Sequence, residues 1–167
     1  LVGSEMCIRD SQYSVGEYWD GVGNIKNWIN NTGKKSGAFD FQFHYNMTDA
    51  IRSNNWTKLN NSSLMSDVSY RQYAITFVEN HDIQVREDNS NEGSKDPIPT
   101  AYIPAANAFM IAMPGTPCIF QPHWKAYEHE LKSMIEARKL AGITNTSSYN
   151  NYANNKQYFA NAVNGTN

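Results

Sequence analysis

Phe77-Val78-Glu79-Asn80-His81-Asp82 decides how this chain is read, taken together with Gly16-Glu17-Tyr18-Trp19 well upstream of it. In both places a short apolar run climbs towards an acid. Ala74, Ile75, Phe77 and Val78 lead to Asn80-His81-Asp82, and Tyr13 and Val15 lead to Glu17. Buried parallel strands read as apolar runs rather than as strict alternation. An acid just past the end of such a strand sits where a (β/α) barrel displays its chemistry. Two acids delivered from different strands are what glycoside hydrolysis requires: a protonated carboxyl for the leaving oxygen, and carboxylates facing a cationic ring.

Working outward, strands and helices alternate. A strand is expected near 12–16, then a helix with Ile25, Trp28 and Ile29 on one face. Asn31-Thr32-Gly33 supplies its stop, Gly being a common C-terminal cap. Ala38-Phe39-Asp40-Phe41-Gln42-Phe43 reads as the next strand, with its three Phe residues on one face and Asp40 on the other. The Ser- and Asn-rich stretch around Leu59 and Leu64 reads as short helix and loop. A strand over 73–79 comes next, then a polar loop over 84–99 of a length that is more often functional than decorative. Ile103, Ala106, Met110 and Met113 mark another helix. Pro114-Gly115-Thr116-Pro117 breaks it, and Cys118-Ile119-Phe120 reads as a short buried strand. Tyr127, Leu131, Met134 and Ile135 mark a last helix, closed by Arg138-Lys139 and then Gly142. From about Thr144 the composition shifts to Asn, Ser, Tyr and Gly, and 156–163 fits a strand of a separate β domain. Four β/α units of this kind indicate a parallel sheet, which is either half a barrel or a small open sheet.

A length of 167 residues suffices for one domain with a real core. It falls short of the ~250 residues of a complete (β/α)8 barrel. A net charge of −2 gives no reason to expect nucleic acid or an anionic membrane surface as partner. No apolar run approaches the ~20 residues that span a bilayer, and the N-terminus carries no signal-peptide pattern. The 13% aromatic content and abundant Asn suit sugar binding, but many neutral globular proteins share them. Cys7 and Cys118 form neither a disulfide framework nor a metal signature. His123 and His129 are six apart, which does not place them on one helical face, and there is no HExxH motif. No metal site, Gly-rich phosphate loop or basic-aromatic patch is therefore expected. Residues 1–11, LVGSEMCIRDS, fit neither a strand nor an amphipathic helix continuous with the residues after them. They are similar to an adaptor-derived peptide found at the broken ends of translated read assemblies, and are expected to be a non-native leader.

VGEYWDG at 15–21, Phe39-Asp40-Phe41, FVENHD at 77–82 with Gln84 close behind, and PGTPCIF at 114–120 occur in one order. Each is weak alone. Together they resemble the α-amylase family of starch-active glycoside hydrolases, over nearly everything from residue 12 onward. The resemblance implies an α/β fold: an incomplete (β/α)8 TIM barrel, strands five to eight with their helices, over 12–143. It implies the beginning of an all-β C-terminal domain, a β-sandwich, over 144–167.

It also implies roles. Glu17 matches the family's proton donor, an acid/base that needs an apolar surround, for which Tyr18 and Trp19 are at hand. Asp82 matches the carboxylate that binds hydroxyls of the distorted sugar without attacking, and His81 would hydrogen-bond the same sugar. Trp19 would stack on a leaving-side glucose. Asn80 reads as structural, holding the turn; Asp20 and Asp40 read as hydrogen-bonded structural acids, and Glu79 receives no role. The family's nucleophile is an Asp after the fourth strand, which this chain does not contain, Asp10 lying in the suspect leader. The chain as written is therefore expected to be inactive, a fragment of a retaining enzyme cleaving α-1,4-glucosidic bonds in starch or related glucans. The alternatives are a transglycosylase or α-glucosidase of the same family, and a non-catalytic glucan-binding barrel. No cofactor is expected here, although calcium belongs to many full-length members. The family further implies a monomer acting on α-glucan oligo- or polysaccharides, secreted or periplasmic.

Overall fold

A computed structural model describes residues 14–83 and 97–167. The expected leader over 1–11, with Cys7 and Asp10, the first residues of the first strand, and Gln84 with most of the polar loop lie outside the described residues. Four parallel strands, β1 (Ser14–Gly16), β2 (Ser36–Phe39), β3 (Ala74–Phe77) and β4 (Thr116–Cys118), form one sheet in the order β1-β2-β3-β4. Sequential order without reversal means that every crossover winds the same way, as in a barrel wall and unlike a doubly wound sheet.

The crossover between β1 and β2 is α1 (Val22–Asn31), which buries Ile25 and Ile29 as its spacing predicts. Gly33, at φ 66°, ends it in the left-handed region open to glycine. After β2 the structure departs from the expected strand over 38–43. The strand stops at Phe39, and α2 (Phe41–Ser53) begins at once, with Asp40 as its N-cap accepting from the Phe43 amide. Phe41, His44, Met47 and Ile51 are buried at helical spacing. The alternation of Phe39, Phe41 and Phe43 thus spans a strand end and a helix start. Asp40 is fully buried and accepts two further backbone bonds, from Leu64 at 3.1 Å and Met65 at 2.7 Å, which tie the loop after α2 to the strand end. The structural role expected of Asp40 is what it has.

All four residues of β3 are buried, as befits a strand paired on both sides. A short 3-10 turn, Thr100–Tyr102, leads into α3 (Ile103–Ala112), with Met113 as C-cap rather than a helical residue. β4 precedes the expected 118–120 and is not buried. It is an edge strand, and Cys118 is exposed. A short helix not foreseen, α4 (Gln121–Ala126), leads into α5 (Glu128–Leu140). Arg138 of α5 donates to the Ile111, Met113 and Gly115 carbonyls and so closes the C-terminal end of α3.

The last residues form an antiparallel hairpin, β5 (Tyr149–Asn154) and β6 (Phe159–Val163), with residues 156–158 in its turn rather than in a strand. The hairpin makes its own sheet but packs on the α/β unit. Phe159 meets Phe109 edge-on at 5.8 Å, Tyr149 donates to Asn61, and buried Arg71 reaches the Ser147 carbonyl at 2.9 Å. The core gathers Ile25, Phe41, Met47, Phe77, Met110 and Leu131 between sheet and helices.

Candidate active site

Because the strands are parallel, the residues just past β1 and β3 emerge at one end of the sheet. Gly16 pairs with Ala38 and Ala38 with Ala74, so β2 stands between the two. Two strand spacings separate β1 from β3, about 10 Å. Glu17 and the 80–82 turn therefore both lie towards the C-terminal end of the sheet, with Glu17 level in register with Ile75 and the turn further along.

The 80–82 turn is tightly made. The Asn80 side-chain carbonyl accepts from the Asp82 amide at 3.1 Å and the Ile83 amide at 2.9 Å, which is the turn-holding role expected of it. Two residues before Asn80, His44 Nδ1 lies 2.6 Å from the Val78 carbonyl, so Nδ1 carries the proton and donates. Burial lowers the His44 pKa and favours the neutral ring. His81 is the open member of the turn, its side chain 75% exposed, with Nε2 3.4 Å from Asp82 Oδ2. The Asp82 side chain is 25% exposed, which leaves an edge facing solvent beside an exposed imidazole.

Glu17 lies just past an edge strand and is exposed. Tyr18 and Trp19, expected to give it an apolar surround, turn elsewhere. Tyr18 engages Asp20, whose carboxylate raises the phenol pKa chiefly through a hydrogen bond. Trp19 stacks on Phe41 with centroids 4.7 Å apart and donates from Nε1 to the Tyr45 hydroxyl at 2.7 Å. Phe41 in turn meets Phe77 edge-on at 5.3 Å, and Phe77 meets Phe39 at 5.5 Å. This chain of rings couples the segment after β1 to the ends of β2 and β3, and so ties the Glu17 segment to the strand that carries Asp82. Trp19 keeps 42% of its surface exposed beside that stack. Asp20 accepts from the Gly21 amide at 2.6 Å and bonds Asn24, which holds its pKa down. It serves the start of α1, the structural role expected of it.

The sequence reading missed a second set of groups. Glu79, given no role, is 4% exposed. Its Oε2 is 2.9 Å from His123 Nε2, and its Oε1 accepts from the Ile98 amide. Asn107, fully buried in α3, places Nδ2 3.2 Å from His123 Nδ1. The available signal was the acid itself, since a carboxylate closing a wholly buried run must find a partner.

A cavity of about 330 Å³ lies between α2, α3 and the hairpin turn, lined by Met47, Trp56, Tyr102, Phe109 and Tyr158 among others. None of the four candidate residues reaches it. Among the described residues no group of three or more His, Cys, Asp and Glu side chains could hold a metal ion. Nor is any helix among them long and apolar enough to cross a membrane.

No protein-family model matches the chain. Among curated proteins it is 26% identical to a probable alpha-amylase 2 of Arabidopsis thaliana, over 81% of this chain and 36% of that protein. It is 27% identical to a glucan 1,4-alpha-maltotetraohydrolase of Stutzerimonas stutzeri, over 80% of this chain and 27% of the other. Against an alpha-amylase of Bacillus licheniformis the identity is 28%, over 76% and 27% respectively. The similarity is to α-amylase-type glycoside hydrolases, as the motifs implied, and the chain spans roughly a third of the length of these relatives or less.

Proposed function

We propose that this chain is the C-terminal part of the catalytic barrel of a retaining α-amylase-type hydrolase of α-1,4-glucans, followed by the start of its β domain. The observation that carries the reading is a sequentially ordered parallel sheet, with Glu17 following β1 and Asp82 following β3 towards its C-terminal end. Sequential strand order supports a barrel wall over a doubly wound sheet. The relatives, named as α-amylases and a maltotetraohydrolase, support an α-glucan as substrate.

In this reading Glu17 gives its proton to the glycosidic oxygen as the bond to the ring breaks, and takes one back from the water that later attacks. Asp82 holds hydroxyls of the distorted sugar as positive charge develops, with His81 as a second hydrogen-bond donor. Trp19 offers its exposed surface to a leaving-side glucose. In this reading turnover also needs a nucleophilic carboxylate from another strand of the barrel. The active enzyme would work as a monomer.

The test is Glu17→Gln in the longer protein carrying this sequence. Hydrolysis of soluble starch should fall by orders of magnitude while glucan binding persists, since the amide keeps the shape and loses the transferable proton. Unchanged turnover would sink the assignment, and binding without turnover in the unsubstituted protein would favour a non-catalytic glucan-binding barrel.

A further inference from the structure

We infer that Glu79, held by His123 and the Ile98 amide, is a positioning residue for the Asp82 carboxylate; the inference rests on the reading of Asp82 given above. Three consecutive residues at the exit of β3 are each held by a separate bond. Val78 is held through its carbonyl by His44 of α2. Glu79 is held through its carboxylate by His123 of α4 and by the Ile98 amide. Asn80 is held through its side chain by the Asp82 and Ile83 amides. The turn presenting Asp82 therefore has its backbone direction set from both flanks, and Glu79 supplies one of them.

The orientation of the Asn107 amide sets the protons in this relay. Asn107 Nδ2 donates to the Ile103 carbonyl at 2.9 Å, which fixes which end of the amide faces His123. With an N–H pointing at it, His123 Nδ1 must accept, so the ring is neutral and carries its proton on Nε2. Nε2 then donates to Glu79, which accepts a second bond from Ile98 as an ionised carboxylate. A buried charge tied at both oxygens is a stiff anchor. Removing it leaves His123 without an acceptor and Ile98 without a fixed one. Glu79→Gln keeps the volume but only one acceptor oxygen, so its carbonyl can serve either His123 Nε2 or the Ile98 amide while its NH2 confronts the other donor. For the new side-chain amide to donate to Nε2, the imidazole tautomer and the Asn107 amide must both reverse, which forfeits the bond to Ile103.

None of these groups is a candidate site residue, so their effect on chemistry runs through the geometry of the turn. A displacement of about 1 Å at a reacting group can cost a factor on the order of a hundred. Hydrolysis of a chromogenic maltooligosaccharide by the longer protein is the assay, with Glu79→Gln, Asp82→Asn and the double variant compared. Glu79→Gln should lower kcat by about 10- to 100-fold with KM within about twofold. In the Asp82→Asn background it should cost nothing further, because the group it positions is already gone. An additive loss in the double variant, or a KM effect with kcat intact, overturns the inference.

If Asp82→Asn itself leaves kcat untouched, the functional reading fails, and this inference with it. If Asp82→Asn is crippled and Glu79→Gln is not, only this inference fails. Should Glu79→Gln not fold, Asn107→Ser decides, since it removes the donor to His123 from the far end of the relay. A kcat loss that vanishes in the Asp82→Asn background then supports the relay, and an unchanged kcat overturns it.

Discussion

Asp40→Asn tests the balance on which the β2–α2 junction depends. Asp40 is fully buried, and burial raises its pKa from 3.8 to about 6, against the backbone donors Met65, Leu64 and Phe43 and the Ser63 hydroxyl, which favour its charge. Its folded pKa is raised, so its contribution to stability is fully present below 3.8 and lost as pH rises through about 6. A shift of that size corresponds to roughly 3 kcal/mol. The amide variant does not titrate. Its carbonyl can still accept from Phe43 and Leu64, which share one oxygen, but its NH2 faces the Met65 amide and leaves that buried N–H unpaired. The cost is about 1–3 kcal/mol. Protonated Asp40 avoids it, because a hydroxyl oxygen still accepts.

The wild type should therefore be the more stable protein at pH 4 by about 1–3 kcal/mol. Its advantage should shrink by roughly 2–3 kcal/mol on going to pH 7, so that the two proteins converge or cross. Urea unfolding at unit pH intervals, followed by near-ultraviolet circular dichroism, measures this, and the difference between the proteins cancels other titrating groups such as His44. A difference constant from pH 4 to 7 would refute the reasoning. It would mean that the backbone donors, rather than desolvation, decide the charge of Asp40.

His44 should show the opposite sign. Burial lowers its folded pKa below 6.5, so its contribution is present above pH 6.5 and lost on acidification. His44→Gln, whose amide can still donate to the Val78 carbonyl, should flatten the acid side of the stability profile in the same urea titration; an unchanged slope counts against a buried neutral ring. Gly16→Ala should cost about 1–3 kcal/mol by overpacking, because a Cβ there would overlap the Trp28 ring. Thermal unfolding measures it, and an unchanged Tm would mean that α1 does not press on the residue before Glu17.

The β/α alternation was legible because local rules agree along most of the chain. Ile25 and Ile29, the wholly apolar face of β3, and Gly33 and Gly142 at helix ends each signal one structure. Two passages were not legible, for different reasons. Over 38–43 an alternating run fits a strand, yet Asp40 carries an N-cap signal and Phe41, His44, Met47 and Ile51 a helical one. Polar His44, Tyr45 and Asn46 masked that second period. At β4 the motif showed a strand but not its edge, which depends on pairing and left Cys118 exposed. At the site, the sequence identified the residues after the strands, and the Asn80 turn could be read from three adjacent residues. The Glu79–His123–Asn107 relay could not, because its members come from three elements with no common spacing.

The two proposed carboxylates consequently stand on supports of unequal stiffness, and the difference suits their tasks. A carboxylate that stabilises developing charge works by not moving, since reorganisation at the moment of reaction forfeits the benefit of preorganised charge. Asp82 comes after a strand paired on both sides and a turn bonded at three consecutive residues. An acid that must first donate and then recover a proton needs access as well as position. Glu17 comes after a strand paired on one side and is exposed. Its place rests on the packing of Trp28 against Gly16 and on the Trp19–Phe41–Phe77 stack. Loosening that stack would displace Glu17 while leaving every bond of the Asp82 turn in place. On this geometry the acid is the more easily disturbed of the two.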